Sequence, residues 1–168
     1  MLDVDVCFDD IVISNIQKED LPNIEKMSEA DEEFNFSELN DRFLESYLSE
    51  CEYFLKINKN KKLIGVIKGR VEFKNSNEVW VWFYYIKEKS LECMVMQELL
   101  LYFFQEYDIE IFYTRVAVED ENAVKFWKKL GFRPLRLVKN FYSINGKSMD
   151  MLIMENGSVL KNISDISN

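Results

Sequence analysis

Proton transfer in this sequence of 168 residues falls to carboxylates and phenols, because the chain contains no histidine. That absence excludes Ser-His-Asp and Cys-His catalysis and removes the commonest metal ligand, so no metal site is expected. Glu72, Glu78, Tyr84 and Tyr113 are candidates for a general base, and a chain of water molecules is the alternative. Each of these side chains is equally well explained as a residue on a sheet surface or rim, and the sequence therefore leaves the catalytic residue unknown.

Cysteine usage and hydropathy predict the compartment. Cys7, Cys51 and Cys93 are odd in number and far apart, which favours free thiols in a reducing cytoplasm over disulfides or a zinc site. No basic, apolar segment opens the chain, and no run approaches the roughly 20 apolar residues of a membrane span. These features predict a cytoplasmic protein with no membrane partner.

The net charge of −9 limits the partners. Binding to nucleic acids depends largely on cationic contacts to phosphate, so no nucleic-acid partner is expected. A cationic substrate that carries an amine fits an acidic protein better. Most of these charges are nevertheless typical of solvated helix ends and loops, as in the acidic run at residues 29–34.

The hydrophobic period predicts blocks of helix and strand. A first strand over residues 11–16 precedes two amphipathic helices, one capped by Asp20 and one over residues 37–49. Three strand-like runs separated by polar loops predict an antiparallel meander, and the third, residues 78–86, is apolar on both faces and should be central. The remaining elements are a buried helix over 91–107, a strand over 109–118, a short helix from 121, and two strands flanking the Asn145-Gly146 turn.

The short helix carries the clearest local pattern. One apolar stripe, at i, i+3, i+4 and i+7, consists of Ala123, Phe126, Trp127 and Leu130. Asp120 can cap the start of the helix. At its end, Gly131 suits the left-handed position that follows a helix, and Phe132 suits a hydrophobic contact back onto Trp127. The helix should therefore be well terminated and packed through its tryptophan.

The order of elements and this helix together resemble the GNAT superfamily of N-acetyltransferases. Members commonly carry an Asn-x-x-Ala-x-x-x-Tyr-x-x-x-Gly-Phe-like pattern, which is matched here by Asp120, Ala123, Trp127, Gly131 and Phe132. The likeness covers about residues 10–155. It implies an α+β fold with a mixed, mostly antiparallel central sheet of about seven strands and about four flanking helices. The chain length and the polar composition from residue 156 predict a single domain over residues 1–168 with a polar tail at 156–168.

The resemblance further implies acetyl-CoA as co-substrate. In such enzymes the backbone at the end of the central strand pairs with the pantetheine arm, and the following loop holds the pyrophosphate at a helix N-terminus. Carried over to this sequence, the cofactor-binding positions are Tyr84, Tyr85, Ile86, Leu91, Cys93, Met94, Val95, Met96, Asp120, Ala123 and Trp127.

Some of these positions depart from the family pattern. Leu91 replaces an arginine or glutamine, and Met94 and Met96 replace small residues that let the backbone approach phosphate. The pyrophosphate contact is then weak, shifted or absent, or it uses the amides of residues 93–96; alternatively the three side chains simply extend a buried helix face. Trp127 replaces a tyrosine that can protonate the departing thiolate, which an indole cannot do, and by default it enlarges the core.

Two functions follow from this pattern. The first is an N-acetyltransferase, in which the neutral amine of an unknown small-molecule or peptide acceptor, small or cationic, attacks the thioester directly. The second is a catalytically inactive protein of the same fold that binds a small molecule or a protein partner through the old cleft, as the missing Arg, Gly and Tyr favour. A plain interaction module rests only on the aromatics of residues 78–86, which core packing explains. The sequence favours the enzyme and leaves a homodimer open.

Overall fold

The structure, a computed structural model, describes residues 1–30, 38–73, 76–144 and 147–157. The helices are α1 (Leu21–Ala30), α2 (Leu39–Leu48), α3 (Glu92–Tyr107) and α4 (Glu121–Lys129). The strands are β1 (Asp5–Phe8), β2 (Ile11–Asn15), β3 (Glu52–Lys59), β4 (Lys62–Phe73), β5 (Asn77–Ile86), β6 (Ile111–Ala117), β7 (Arg133–Ile144) and β8 (Lys147–Asn156). Short 3-10 turns, Lys18–Asp20 and Lys89–Leu91, precede α1 and α3.

The strands form a mixed sheet in the order β1-β2-β3-β4-β5-β6-β8-β7. Among the strand pairs whose register is described, β5 and β6 are parallel and the others antiparallel. This confirms the predicted α+β class, the meander and the central position of β5. The sheet has eight strands rather than about seven, because Asp5–Phe8 forms a strand that pairs with β2 and that the sequence did not predict.

The chain divides into two compact units. The first contains Met1–Val71 and Trp82–Glu92, and the second contains Glu72–Val81 and Cys93–Asn168. The first half of β5 therefore belongs to the second unit and the second half to the first. The single domain expected from the sequence stays a prediction.

The first unit is built around an apolar cluster in which α1 and α2 meet strands β3 to β5. Its buried members are Ile16, Leu21, Ile24, Leu39, Phe43, Phe54, Val66 and Tyr85. Here β4 and the end of β5 approach closely, because a Cβ at Gly65 would lie 2.5 Å from the Tyr85 carbonyl oxygen and 3.1 Å from the Ile86 Cα. Glycine is therefore required at residue 65 to bring β4 against the end of β5.

The start of α1 differs from the prediction. Asp20 does not cap α1; it ends the preceding 3-10 turn, where its carboxylate accepts the Gln17 N–H at 2.8 Å. The same carboxylate pairs with Lys56 Nζ of β3 at 2.6 Å. The cap prediction was wrong because winding begins before α1, in the 3-10 turn that starts at Lys18, and the Asp20 carboxylate belongs to that turn. Helix α2 begins at Leu39; residue 37, where the sequence predicted its start, lies outside the described residues.

The second unit confirms the predicted ends of α4. The Asp120 carboxylate accepts the Ala123 N–H at 2.9 Å, as an N-cap does. At the other end Gly131 has φ 86°, and the N–H of Phe132 donates to the Trp127 carbonyl at 3.0 Å while that of Gly131 donates to Lys128 at 3.0 Å. These two bonds form a Schellman motif. The Trp127 and Phe132 rings meet edge to face at 4.8 Å.

The terminal hairpin strands β7 and β8 are also as predicted, whereas the Asn145-Gly146 turn lies outside the described residues. Asn156 is not part of a polar tail: it ends β8, is buried, and donates from its amide to the Leu130 carbonyl at 3.0 Å. Residues 158–168 lie outside the described part of the chain. None of the helices in the described ranges is long and apolar enough to cross a membrane.

Candidate functional site

The end of β5 holds the predicted pantetheine-binding residues in the first unit. Tyr85 and Ile86 are buried, and Tyr84 is half-buried with its hydroxyl donating to the Glu92 carbonyl at 2.8 Å. Lys87 N–H donates to the Ile64 carbonyl at 2.8 Å. The strand end is thus held to β4 on one side and to the first residue of α3 by a phenol.

The pairing of β5 with β6 is short. It consists of four residue pairs, from Glu78↔Ile111 to Val81↔Thr114, and the Thr114 hydroxyl closes it by donating to the Val81 carbonyl at 3.1 Å. Strand β5 itself continues to Ile86. Its backbone therefore runs on for a further five residues beyond the last pair of this register.

The turn between β5 and α3 takes the place of the expected phosphate-binding loop. The N–H of Leu91 donates to the Glu88 carbonyl at 2.9 Å, and that of Glu92 donates to Lys89. Winding therefore starts before α3, and the first amides of this turn are the ones that a helix N-terminus leaves without partners inside the helix. Leu91 itself is half-buried.

The first turn of α3 separates into two kinds of residue. Val95 and Met96 are fully buried, whereas Cys93 and Met94 are half-buried. An α-helical N–H donates to the carbonyl four residues earlier, so the amides of Val95 and Met96 have acceptors within the turn before them. The side chains of these two residues belong to the core, in agreement with the structural alternative considered for Met96.

Cations near this turn were missed by the motif comparison. Lys87 and Lys89 are both exposed and flank Glu88, and Lys89 Nζ lies 5.6 Å from the centre of the Tyr85 ring. Glu88 binds Lys59 Nζ at 2.9 Å, and that hydrogen bond, partly opposed by desolvation, raises the pKa of Lys59. The pair fixes the turn to β3. In the sequence, the run Lys-Glu-Lys at residues 87–89 was the signal from which these cations could have been found.

The predicted residues of α4 lie in the second unit. The Asp120 carboxylate accepts its cap bond from the N–H of Ala123, and Ala123 is half-buried. Trp127 is 4% exposed and packs between the rings of Phe126 at 5.1 Å and Phe132 at 4.8 Å. This packing agrees with the interpretation that the tryptophan enlarges the core.

Two of the four candidate bases lie close together. Glu78 accepts from Ser76 Oγ at 2.7 Å, and Tyr113 stacks on Trp80 with ring centres 4.7 Å apart. Burial, with the charges of Glu78 and Glu155, raises the pKa of Tyr113, so its phenol stays protonated at neutral pH. Tyr113 is consequently a donor there rather than a base. No group of three metal-binding side chains occurs among the residues that the structure describes.

A buried ammonium in the first unit was also missed. Lys68 Nζ donates to Glu52 at 2.9 Å, to the Arg42 carbonyl at 3.5 Å and to Ser46 Oγ. The rings of Phe54 and Trp82 lie 5.7 and 5.9 Å from it. The lysine joins α2 to β3 and β5, which no periodicity of β4 alone could show.

The order of elements, the capped α4 and the turn after β5 can be compared with known families. A family model described as the acetyltransferase (GNAT) domain matches residues 13–153. The chain belongs to the GNAT acetyltransferase family. Within this GNAT protein, the matched range includes β5, the turn before α3 and α4, so all the predicted cofactor-binding positions lie inside it.

Solved structures share the fold of this GNAT protein. An acetyltransferase of Salmonella typhimurium that modifies the N-terminal serine of a 50S ribosomal subunit protein has a TM-score of 0.77 at 12% identity, over 89% of this chain and 95% of that one. The Vibrio cholerae spermidine N-acetyltransferase, in complex with CoA and spermine, has 0.70 at 20% identity, over 88% and 95%. Comparison with curated protein sequences finds no significant match.

Proposed function

We propose that this GNAT protein transfers the acetyl group of acetyl-CoA to the amine of a small or cationic acceptor, or of a peptide. The family match over residues 13–153 carries the proposal. The solved relatives act on both acceptor classes, a polyamine in one case and a protein N-terminus in another. The net charge of −9 favours an acceptor that arrives as a cation and argues against nucleic acid.

The reaction is a single acyl transfer. The neutral amine nitrogen attacks the thioester carbonyl, a C–N bond forms, the C–S bond breaks, and the electron pair leaves with sulfur while the amine proton passes to water or a carboxylate. A backbone N–H near the end of β5 would stabilise the oxyanion. With Trp127 buried in the tyrosine position, the thiolate would be protonated by solvent.

The co-substrate is proposed to bind through backbone more than through side chains. The strand end at Tyr84, Tyr85 and Ile86 would pair with pantetheine, which the short β5–β6 register supports. Lys87 and Lys89 would supply the positive charge that Leu91 cannot. Of the other family positions, Cys93, Met94, Val95, Met96, Ala123 and Trp127 would shape the helices, and Asp120 would hold α4 by its cap.

Acetyl-CoA binding and product formation test the proposal. Calorimetry with acetyl-CoA should give a micromolar dissociation constant, and mass spectrometry should detect acetylated product from a panel of polyamines and amino-terminal peptides. Mass spectrometry is preferable to a thiol reagent because Cys7, Cys51 and Cys93 are free. No heat at millimolar acetyl-CoA together with no product would instead support the inactive binding protein.

The proposed role of Lys89 has its own matched control. Lys89→Ala should weaken acetyl-CoA by roughly 3- to 10-fold and leave acetyl-pantetheine, which lacks the pyrophosphate, unchanged. Lys26→Ala removes an equally exposed cation from α1 and should change neither. Equal losses of affinity for both ligands in Lys89→Ala would show that the lysine does not contact the phosphates.

The three free thiols also lead us to propose a reducing, cytoplasmic location.

A further inference from the structure

A row of aromatic and acidic side chains crosses one face of the second unit's sheet. Trp80 of β5 lies directly opposite Tyr113 of β6, which lies directly opposite Glu155 of β8. Residues opposite one another in a sheet share a face, and Glu78 shares it too because it is two residues from Trp80. We call Glu78, Trp80, Tyr113 and Glu155 the aromatic–acidic platform.

The geometry of the platform is well defined. The rings of Trp80 and Tyr113 stack at 4.7 Å with planes 22° apart. Both carboxylates act on the same phenol, since Glu78 and Glu155, after burial, raise the pKa of Tyr113. Glu78 and Glu155 therefore place carboxylates beside the stacked rings, and carboxylates and aromatic faces both attract cations.

The platform is partly accessible, and its carboxylates have acceptor capacity for a ligand. All four side chains are half-buried. Glu155 pairs with Arg133 Nε at 3.2 Å, but the Arg133 side chain is 76% exposed, and such surface pairs contribute little. Glu78 accepts a hydrogen bond from the Ser76 hydroxyl at 2.7 Å, and a carboxylate has about four acceptor sites, so others remain for a ligand. Arg115 follows Tyr113 on the same face and limits the negative region in that direction.

The spacing of the carboxylates indicates the ligand. Neighbouring strands are about 4.8 Å apart and rise about 3.3 Å per residue, so the Cα atoms of Glu78 and Glu155 are roughly 12 Å apart. A chain with two ammonium groups can place one charge at each carboxylate, whereas a single ammonium brings only one charge to the two of them. Aromatic rings between them suit the methylene groups and cationic nitrogens of such a chain.

We propose that the aromatic–acidic platform binds an aliphatic amine that carries at least two ammonium groups. The proposal rests on the proposed function only in taking the bound amine to be an acetyl acceptor; the binding itself does not depend on it. The two points are therefore tested by separate measurements, binding without acetyl-CoA and acetylation with it.

Calorimetric titration with spermidine, and with butylamine as the single-ammonium control, tests the binding. Glu78→Gln and Glu155→Gln should each weaken spermidine roughly 3- to 10-fold, and the double variant should weaken it further. Glu106→Gln, an exposed carboxylate of α3, is the charge-matched control and should change little. Butylamine should bind at least about 10-fold more weakly than spermidine. Because butylamine has a single ammonium group, at most one of the two substitutions should weaken its binding.

The outcomes separate the platform from the reaction. If Glu78→Gln and Glu155→Gln behave like Glu106→Gln, or if wild type binds spermidine no better than butylamine, the platform is only a cross-strand pair and the inference is overturned. Platform-dependent binding of spermidine without acetylation of any amine retains the site and refutes the proposed function. Acetylation of amines without platform-dependent binding of spermidine supports the proposed function and overturns the inference. Circular dichroism confirms that these isosteric variants are folded.

Discussion

Restoring charge at the turn before α3 and glycine in the first turn of α3 should tighten the binding of acetyl-CoA. The family positions are Leu91, Met94 and Met96, and the structure decides which of them can be changed. Met96 is fully buried, so Met96→Gly would cost roughly 2–5 kcal/mol for the lost side chain and about 1 kcal/mol for the glycine. That sum is a large part of the roughly 5–15 kcal/mol that stabilises a typical domain. The triple variant is therefore expected to unfold.

The double variant avoids that cost, because Leu91 and Met94 are only half-buried. In Leu91→Arg/Met94→Gly one recovered charge-assisted bond to the diphosphate is worth about 1.5–3 kcal/mol before screening, or roughly 10- to 100-fold in affinity. The gain should appear in calorimetry with acetyl-CoA and not with acetyl-pantetheine. It should also shrink as salt is raised.

The control is Gln105→Arg, which adds the same charge to an exposed position near the far end of α3. It should leave both ligands unchanged. If a folded Leu91→Arg/Met94→Gly variant gains nothing for acetyl-CoA over acetyl-pantetheine, the placement of this turn at the pyrophosphate is refuted. If wild type already prefers acetyl-CoA strongly, Lys87, Lys89 or the amides before α3 hold the phosphates, and the missing Arg and Gly no longer favour the inactive alternative.

Three further predictions concern stability. Lys68→Met should cost about 2–4 kcal/mol in urea unfolding, since it leaves a half-buried carboxylate and a buried hydroxyl without their ammonium; a loss under about 1 kcal/mol would contradict this. Gly131→Ala should cost roughly 1–2 kcal/mol because φ is 86°, whereas Gly157→Ala, whose added Cβ meets nothing within 4 Å, should be nearly neutral; equal effects would contradict the strain argument. Burial raises the pKa of Tyr53 far above its usual range. The contribution of the protonated phenol to stability is therefore complete below about pH 10 and is lost as pH rises above that value. Tyr53→Phe should flatten the alkaline fall in the free energy of unfolding, and an unchanged slope would exclude Tyr53 as its source.

Local patterns in the sequence were sufficient where the structure depends on neighbours in the chain. Asp120, Gly131 and Phe132 all make contacts within α4 and its two ends, and all were predicted. The meander and the central, doubly apolar β5 followed from period and turns in the same way. The contacts at the ends of α4 span only a few residues of the chain, so a single window of sequence contains each whole interaction.

Adjacent local signals failed where two of them competed. Asp20 has the right chemistry to cap α1, but Gln17 lies before a 3-10 turn that uses the same carboxylate, and Lys56 of β3 draws it into an ion pair. Strand β1 was not predicted because only the pairing of Asp5–Phe8 with β2 makes it a strand. In both cases the deciding partner is supplied by another element.

The chemistry-bearing clusters were decided by tertiary structure alone. Lys68 meets Glu52 and Ser46 across 16 and 22 residues of chain, and Tyr113 meets Trp80 and Glu155 only because three strands adopt one register. By itself the sequence determined the family and the ends of α4, since these are local or follow from element order. Which carboxylates and rings share a face depends on strand register, and a shift of one residue would turn every one of them to the opposite face.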